Sequence, residues 1–153
     1  MAPEFTFPLL GGGTVSTASL RGQPTVIALW STRCHQSRRA LAALDSLLAD
    51  YRDRNLQVLV LAGDSDTLAL RQVLDSAAVT LRVAVAGKDL WTLFDHSATA
   101  PERDQFRVAF GLPSFLFLDR SGVIVDRAAG VELGPVRLIG VRMRVDTLLA
   151  HDR

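Results

Sequence analysis

Two rhythms of apolar positions run along the chain. Thr25-Val26-Ile27-Ala28-Leu29-Trp30 and Leu56-Gln57-Val58-Leu59-Val60-Leu61-Ala62 are nearly unbroken apolar stretches, as expected of strands covered on both faces. Between them, Leu41, Leu44, Leu47, Leu48 and Tyr51 recur at helical spacing, with Arg38, Arg39, Asp45, Asp50 and Arg52 on the other side. The pattern predicts a helix to about Arg54, with Asn55 as its C-cap.

The flanking segments complete an alternation. Phe5 to Leu10, the turn Gly11-Gly12-Gly13 and the return Thr14 to Ser16 predict a β-hairpin. No Gly-Lys-Ser/Thr follows the triple glycine, so a phosphate loop is set aside. Gly63-Asp64-Ser65-Asp66 supplies a turn and an N-cap for a helix through Leu68, Leu70, Val73 and Leu74. Val79 to Val85 predicts a third strand, and Lys88 to Phe94 a short helix.

His96 to Asp104 has no periodicity and predicts a loop, followed by Phe106 to Phe110. Phe115 to Leu118 and Val123 to Val125, joined by Asp119-Arg120-Ser121-Gly122, predict a second hairpin. A last helix starts at Gly134-Pro135, with Leu138, Val141, Val145 and Leu148 on its buried face. Strands alternating with helices, closed by a hairpin and a helix, predict an α/β fold with a layered sheet.

Composition narrows the possible functions. At 153 residues, 48% hydrophobic and 22% charged, the chain suits a single folded domain over residues 1–153. A net charge of +1 with both signs dispersed excludes a polyelectrolyte signature for nucleic acid. No apolar run reaches membrane-span length. The three histidines are isolated and no donor spacing resembles a zinc site, so neither metal nor cofactor is expected. Asp95-His96 reads as a solvated pair, and Trp30 and Trp91 as packing residues.

The chemistry concentrates in Trp30-Ser31-Thr32-Arg33-Cys34-His35-Gln36-Ser37, which closes a predicted strand and opens a predicted helix. It holds the only cysteine. A thiol at the first turn of a helix faces unpaired N–H groups and the positive end of the helix dipole, which favours the thiolate. Arg33, His35, Arg38 and Arg39 add nearby positive charge, although exposed arginines on a helix are commonly just solvated. The alternative for Cys34 is a small buried hydrophobe, and for His35 a solvent-exposed imidazole.

The order strand, Trp, Cys-x-x-Cys/Ser, helix with two basic residues resembles the active site of thioredoxin-fold proteins. The likeness is nearest to the AhpC/TSA-related TlpA/ResA-like thiol-disulfide oxidoreductases, whose pattern is W-x-x-W-C-x-x-C-R/K. Trp30, Cys34, Arg38 and Arg39 match it, as does Ala18-Ser19-Leu20-Arg21-Gly22-Gln23-Pro24 against the family's S-x-L-R-G-K-P segment. Gly111-Leu112-Pro113-Ser114 is similar to the family's G-x-P-T/S.

The resemblance spans Pro3 to about Leu149 and implies a thioredoxin-like fold: a central mixed β-sheet flanked by helices, with an N-terminal β-hairpin. It implies that Pro113 is cis and lies against Cys34, that Leu112 and Pro113 dock a partner chain, and that Trp30 and Arg33 flank the binding surface. It further implies that His35 tunes the thiol and that the partner is a thiol- or disulfide-containing protein, with glutathione as a small-molecule counterpart. Relatives of this kind are commonly exported, and Pro3-Glu4-Phe5-Thr6 resembles the point where their folded domain begins. A periplasmic or other extracytoplasmic location follows if a leader preceded it, and otherwise localisation stays open.

The departures matter equally. Arg33 stands where the family has a second Trp, and Ser37 where it has the second Cys. Ala40 replaces an acidic residue, Ala28 the buried aspartate of thioredoxin, and Ala42 the usual helix proline. A hydroxyl cannot resolve a mixed disulfide, so an intramolecular dithiol cycle is closed to this chain. A monothiol cycle through Cys34 remains, with Ser37 as a hydrogen-bond partner for the thiolate. Two alternatives stay open: a redox-inactive binding module, and a Cys-to-Ser trapping variant of a dithiol enzyme. A peroxiredoxin site needs P-x-x-x-T/S-x-x-C; Ser31 fits, but Ile27 occupies the proline position.

Overall fold

The computed structural model describes residues 4–32, 35–78, 80–87, 114–129 and 139–151, with the side chains of 35–37, 129, 139–140 and 151 excepted. β1 (Thr6–Pro8) and β2 (Thr14–Ser16) form the expected antiparallel hairpin. Its turn needs glycine at two places, because Gly12 and Gly13 take φ of 106° and 79°. A four-residue helix, α1 (Thr17–Leu20), follows directly. Ser16 and Ser19 cap it reciprocally: each side-chain oxygen accepts from the other's backbone N–H, at 3.1 and 2.9 Å.

Next come β3 (Thr25–Trp30), α2 (His35–Asp50), β4 (Gln57–Ala62), α3 (Thr67–Ala77) and β5 (Arg82–Val85). The expected helix to Arg54 ends earlier. Tyr51 leaves helical geometry, Arg52–Arg54 form a 3₁₀ turn, and Asn55 closes it in the left-handed region at φ 63°. Asp66 is the N-cap of α3, accepting from the Ala69 N–H at 3.1 Å. Leu70 on α3 is fully buried, whereas Leu68 is 65% exposed and contributes nothing to the core.

The third strand begins at Arg82 rather than Val79, which lies outside the described residues. Thr80 is instead held to α2, where Asp45 accepts from both its N–H and its hydroxyl at 3.0 Å. β6 (Ser114–Leu118) and β7 (Ile124–Ala129) form the second hairpin, with a register shift at Phe117/Leu118. Asp119 organises its turn, accepting from the N–H groups of Ser121 and Val123. α4 (Ile139–His151) closes the chain, burying Val141, Val145, Leu148 and Leu149. The segments expected at 88–94, 96–104 and 106–110, and the Gly134–Leu138 start of the last helix, lie outside the described residues.

The five-stranded sheet has the order β5-β4-β3-β6-β7. β3, β4 and β5 are parallel, while β6 runs antiparallel to β3, and β7 to β6. Side chains alternate across the sheet, so its two faces build two cores. Val26, Ala28, Trp30, Val58, Val60, Phe115 and Phe117 pack with Leu41, Leu44 and Leu47 of α2, Leu70 of α3, and α4. Ile27, Leu29, Leu59, Leu61, Leu116 and Leu118 pack with Phe5, Val15 and Leu20 from the N-terminal segment. This is the mixed sheet flanked by helices, with an N-terminal hairpin, that the resemblance implied.

Candidate functional site

In open α/β sheets, ligand and reaction sites gather beyond the carboxyl ends of the parallel strands, where neighbouring connections diverge. Here that place is the end of β3. Its neighbours are β4, whose chain continues as Gly63-Asp64, and β6, whose first residue Ser114 is paired with Leu29. The Gly63 N–H donates to the Trp30 carbonyl at 2.8 Å, extending the β3–β4 ladder to the last residue of the strand.

Beyond Trp30 the chain is tied down by one carboxylate. Asp64, only 8% exposed, accepts from the Thr32 N–H at 3.0 Å and the Thr32 hydroxyl at 2.7 Å, and from the Ser31 hydroxyl at 3.3 Å. Ser31 is buried and Thr32 half-buried. Sequence reasoning placed Asp64 in a turn and missed this contact. The available signal was that Asp66 alone suffices to cap α3, which leaves Asp64, the other acid of Gly63-Asp64-Ser65-Asp66, without a local task.

Three residues after Thr32 the first helical residue, His35, opens the sixteen-residue α2. Arg33 and Cys34 lie between them and outside the described residues, as do the side chains of His35 and Ser37. Leu112 and Pro113 also lie outside, immediately before Ser114 in the chain. Arg38 and Arg39 are exposed on α2. Trp30 is fully buried, in the cluster containing Ala40, Leu41 and Leu44. Burial therefore favours the packing reading of Trp30 over direct contact with a bound chain.

The positions of the missing carboxylates are apolar in fact as well as in sequence: Ala28 is 0% and Ala40 4% exposed, both within the α2-facing core. No group of three or more His, Cys, Asp or Glu side chains among the described residues could hold a metal ion. A cavity of about 320 Å³ lies between the β6–β7 hairpin and α4, lined by Phe117, Asp119, Val125, Asp126, Arg144 and neighbours. It opens at the far end of β6 from Ser114, and its arginine is bound by both oxygens of Asp126 at 2.7 Å.

Comparison with known proteins bears on this arrangement. The AhpC/TSA family model matches residues 1–127, most of the chain. The chain belongs to the AhpC/TSA family. Within it, the chain is 20% identical over 133 residues to the thiol-disulfide oxidoreductase ResA of Oceanobacillus iheyensis, a match covering 84% of this chain and 63% of that protein. The chain thus spans less than two thirds of that relative's length.

Solved structures of the same fold superpose over nearly the full length. A thioredoxin-family thiol:disulfide interchange protein from Chlorobium tepidum has a TM-score of 0.75 at 18% identity, covering 97% of this chain and 94% of its own. A secreted Mycobacterium tuberculosis disulfide oxidoreductase homologous to Escherichia coli DsbE has a TM-score of 0.71 at 18% identity, covering 94% and 96%. The TlpA/ResA-like resemblance carried by Trp30, Cys34, Arg38, Arg39 and the segment 18–24 holds at the level of family and of thioredoxin-like fold.

Proposed function

We propose that this AhpC/TSA-family protein performs thiol-disulfide exchange through a single nucleophile, Cys34. The observation that carries the proposal is the chain path: the one cysteine of the sequence falls between the anchored end of a fully buried strand and the first residue of a sixteen-residue helix. A helix N-terminus stabilises an anion through its free N–H groups and dipole. Arg33 and His35 are proposed to support the thiolate, and Ser37 to donate a hydrogen bond to it.

In the proposed cycle the Cys34 thiolate attacks one sulfur of a partner disulfide. A Cys34–partner disulfide forms, and the other partner sulfur leaves as a thiolate. An external thiolate then attacks the partner sulfur of that mixed disulfide, re-forming a disulfide outside the protein and releasing Cys34. The chain needs no second cysteine for this sequence. Leu112 and Pro113, with Pro113 cis, are proposed to dock the partner as an extended segment beside Cys34, since they precede the β6 residue that pairs with the end of β3.

The proposed partner is a protein thiol or disulfide, with glutathione as a small counterpart. An extracytoplasmic setting is proposed by analogy with the secreted relative. Among the described residues, no helix is long and apolar enough to cross a membrane.

A second reading is a redox-inactive module that keeps the fold's binding surface. The buried methyl groups of Ala28 and Ala40, in place of carboxylates, favour it. Incubation with oxidised glutathione, read by intact mass, separates the two. The exchange reading predicts one glutathione per chain, removed by excess thiol. A chain that takes no adduct after prolonged incubation belongs to the module reading.

A further inference from the structure

Asp64 is the described acidic side chain that reaches the segment entering the cysteine turn, and nothing in the exchange cycle assigns it a part. Its contacts are unusual in their concentration. Both carboxylate oxygens are engaged, and all three donors come from two consecutive residues, Ser31 and Thr32, more than thirty positions away in sequence. The Asp64 backbone directly follows Gly63, which is itself bonded to Trp30, so the carboxylate extends the β3–β4 ladder past the end of the strand. A mostly buried carboxylate needs such donors, and the donors in turn lose their freedom to move.

We propose that Asp64 is a positioning residue for Cys34, acting through its bonds to Ser31 and Thr32, the last described residues before the cysteine in the chain. The inference rests on the exchange reading of Cys34 and deepens it. It has a competitor with the opposite sign. If Asp64 acted only as a nearby negative charge, it would disfavour the thiolate, and neutralising it would make Cys34 more acidic. If it acts by holding Ser31 and Thr32 in place, losing its bonds leaves Cys34 less constrained and less acidic.

The test is the rate and pH midpoint of Cys34 alkylation in folded wild type, Asp64→Ala, Asp64→Asn, Thr32→Val and the Asp64→Ala/Thr32→Val pair, with folding verified by circular dichroism. The positioning role predicts that Asp64→Ala slows alkylation at neutral pH about tenfold, as loss of geometry does, and raises the midpoint. Thr32→Val moves both quantities the same way, and the double variant adds little, because the two changes remove the same bonds. Asp64→Asn restores most of the rate, since its amide oxygen accepts from the Thr32 N–H and its NH₂ donates to the Thr32 hydroxyl.

A folded Asp64→Ala chain with the wild-type profile, or a lowered midpoint in both Asp64 variants, overturns the proposal. If Asp64→Ala does not fold, Thr32→Val and Asp64→Asn decide it by the same criteria. A wild-type thiol with an unperturbed profile would instead remove the exchange reading, and the positioning role with it.

Discussion

On the proposed exchange cycle, Ser37→Cys is expected to replace the requirement for an external thiol with closure of an internal disulfide. Residues three apart on the first turn of a helix bring their Cα atoms within the span of about 4.4–6.8 Å that a disulfide requires. Positions 34 and 37 are three apart in sequence, and α2 is helical from His35. Under mild oxidant the variant should lose two hydrogens in mass and become inert to alkylation at both thiols, and one equivalent of a dithiol should reverse both changes. A glutathione adduct, if formed, should be displaced intramolecularly rather than persist. A variant that accumulates a stable glutathione adduct instead would show that position 37 does not face Cys34.

Trp30→Ala is expected to cost about 3–5 kcal/mol, the range for emptying a large aromatic site in a packed core. The side chain is wholly buried at the end of the central strand, in the same cluster as Ala40, Leu41 and Leu44. That loss is a large fraction of the roughly 5–15 kcal/mol that holds a domain of ordinary stability. Denaturant unfolding followed by far-ultraviolet circular dichroism measures it without the confounding emission of Trp91. A loss below about 1 kcal/mol, the size of a surface change, would mean that Trp30 lines the binding surface and does not serve the core.

Much of this architecture was legible because it is written in local pattern. The apolar run Thr25–Trp30 became a strand with every residue buried, and the leucine spacing of 41, 44 and 47 became the inner face of α2. The Asp119–Gly122 turn was recognisable because Asp119 bonds backbone groups only two and four residues away. Failures arose where a distant partner decided the outcome. β5 starts late because Thr80 is bound to Asp45 across 35 residues, a competition no local propensity records.

α1 escaped notice because four residues leave no periodicity and its cap uses two serines instead of a serine and a glutamate. Residue type does not separate Leu68 from Leu70; the phase of the helix turns Leu70 inward and leaves Leu68 exposed. The candidate site divides along the same line. Cys34, Ser37 and Pro113 stand out by motif, whereas Asp64 acquires its meaning only when β4 is laid beside β3.

The central claim is that Cys34 is an activated thiol, and the pH dependence of its alkylation tests that most directly. A protein thiol without special surroundings titrates near 8.5. The account predicts that wild-type Cys34 reacts with iodoacetamide along a curve whose midpoint lies clearly below that value, with the curve moving to about 8.5 when the chain is unfolded in denaturant. A folded-state midpoint at or above 8.5 would contradict it and leave a thioredoxin-like binding module with an idle cysteine.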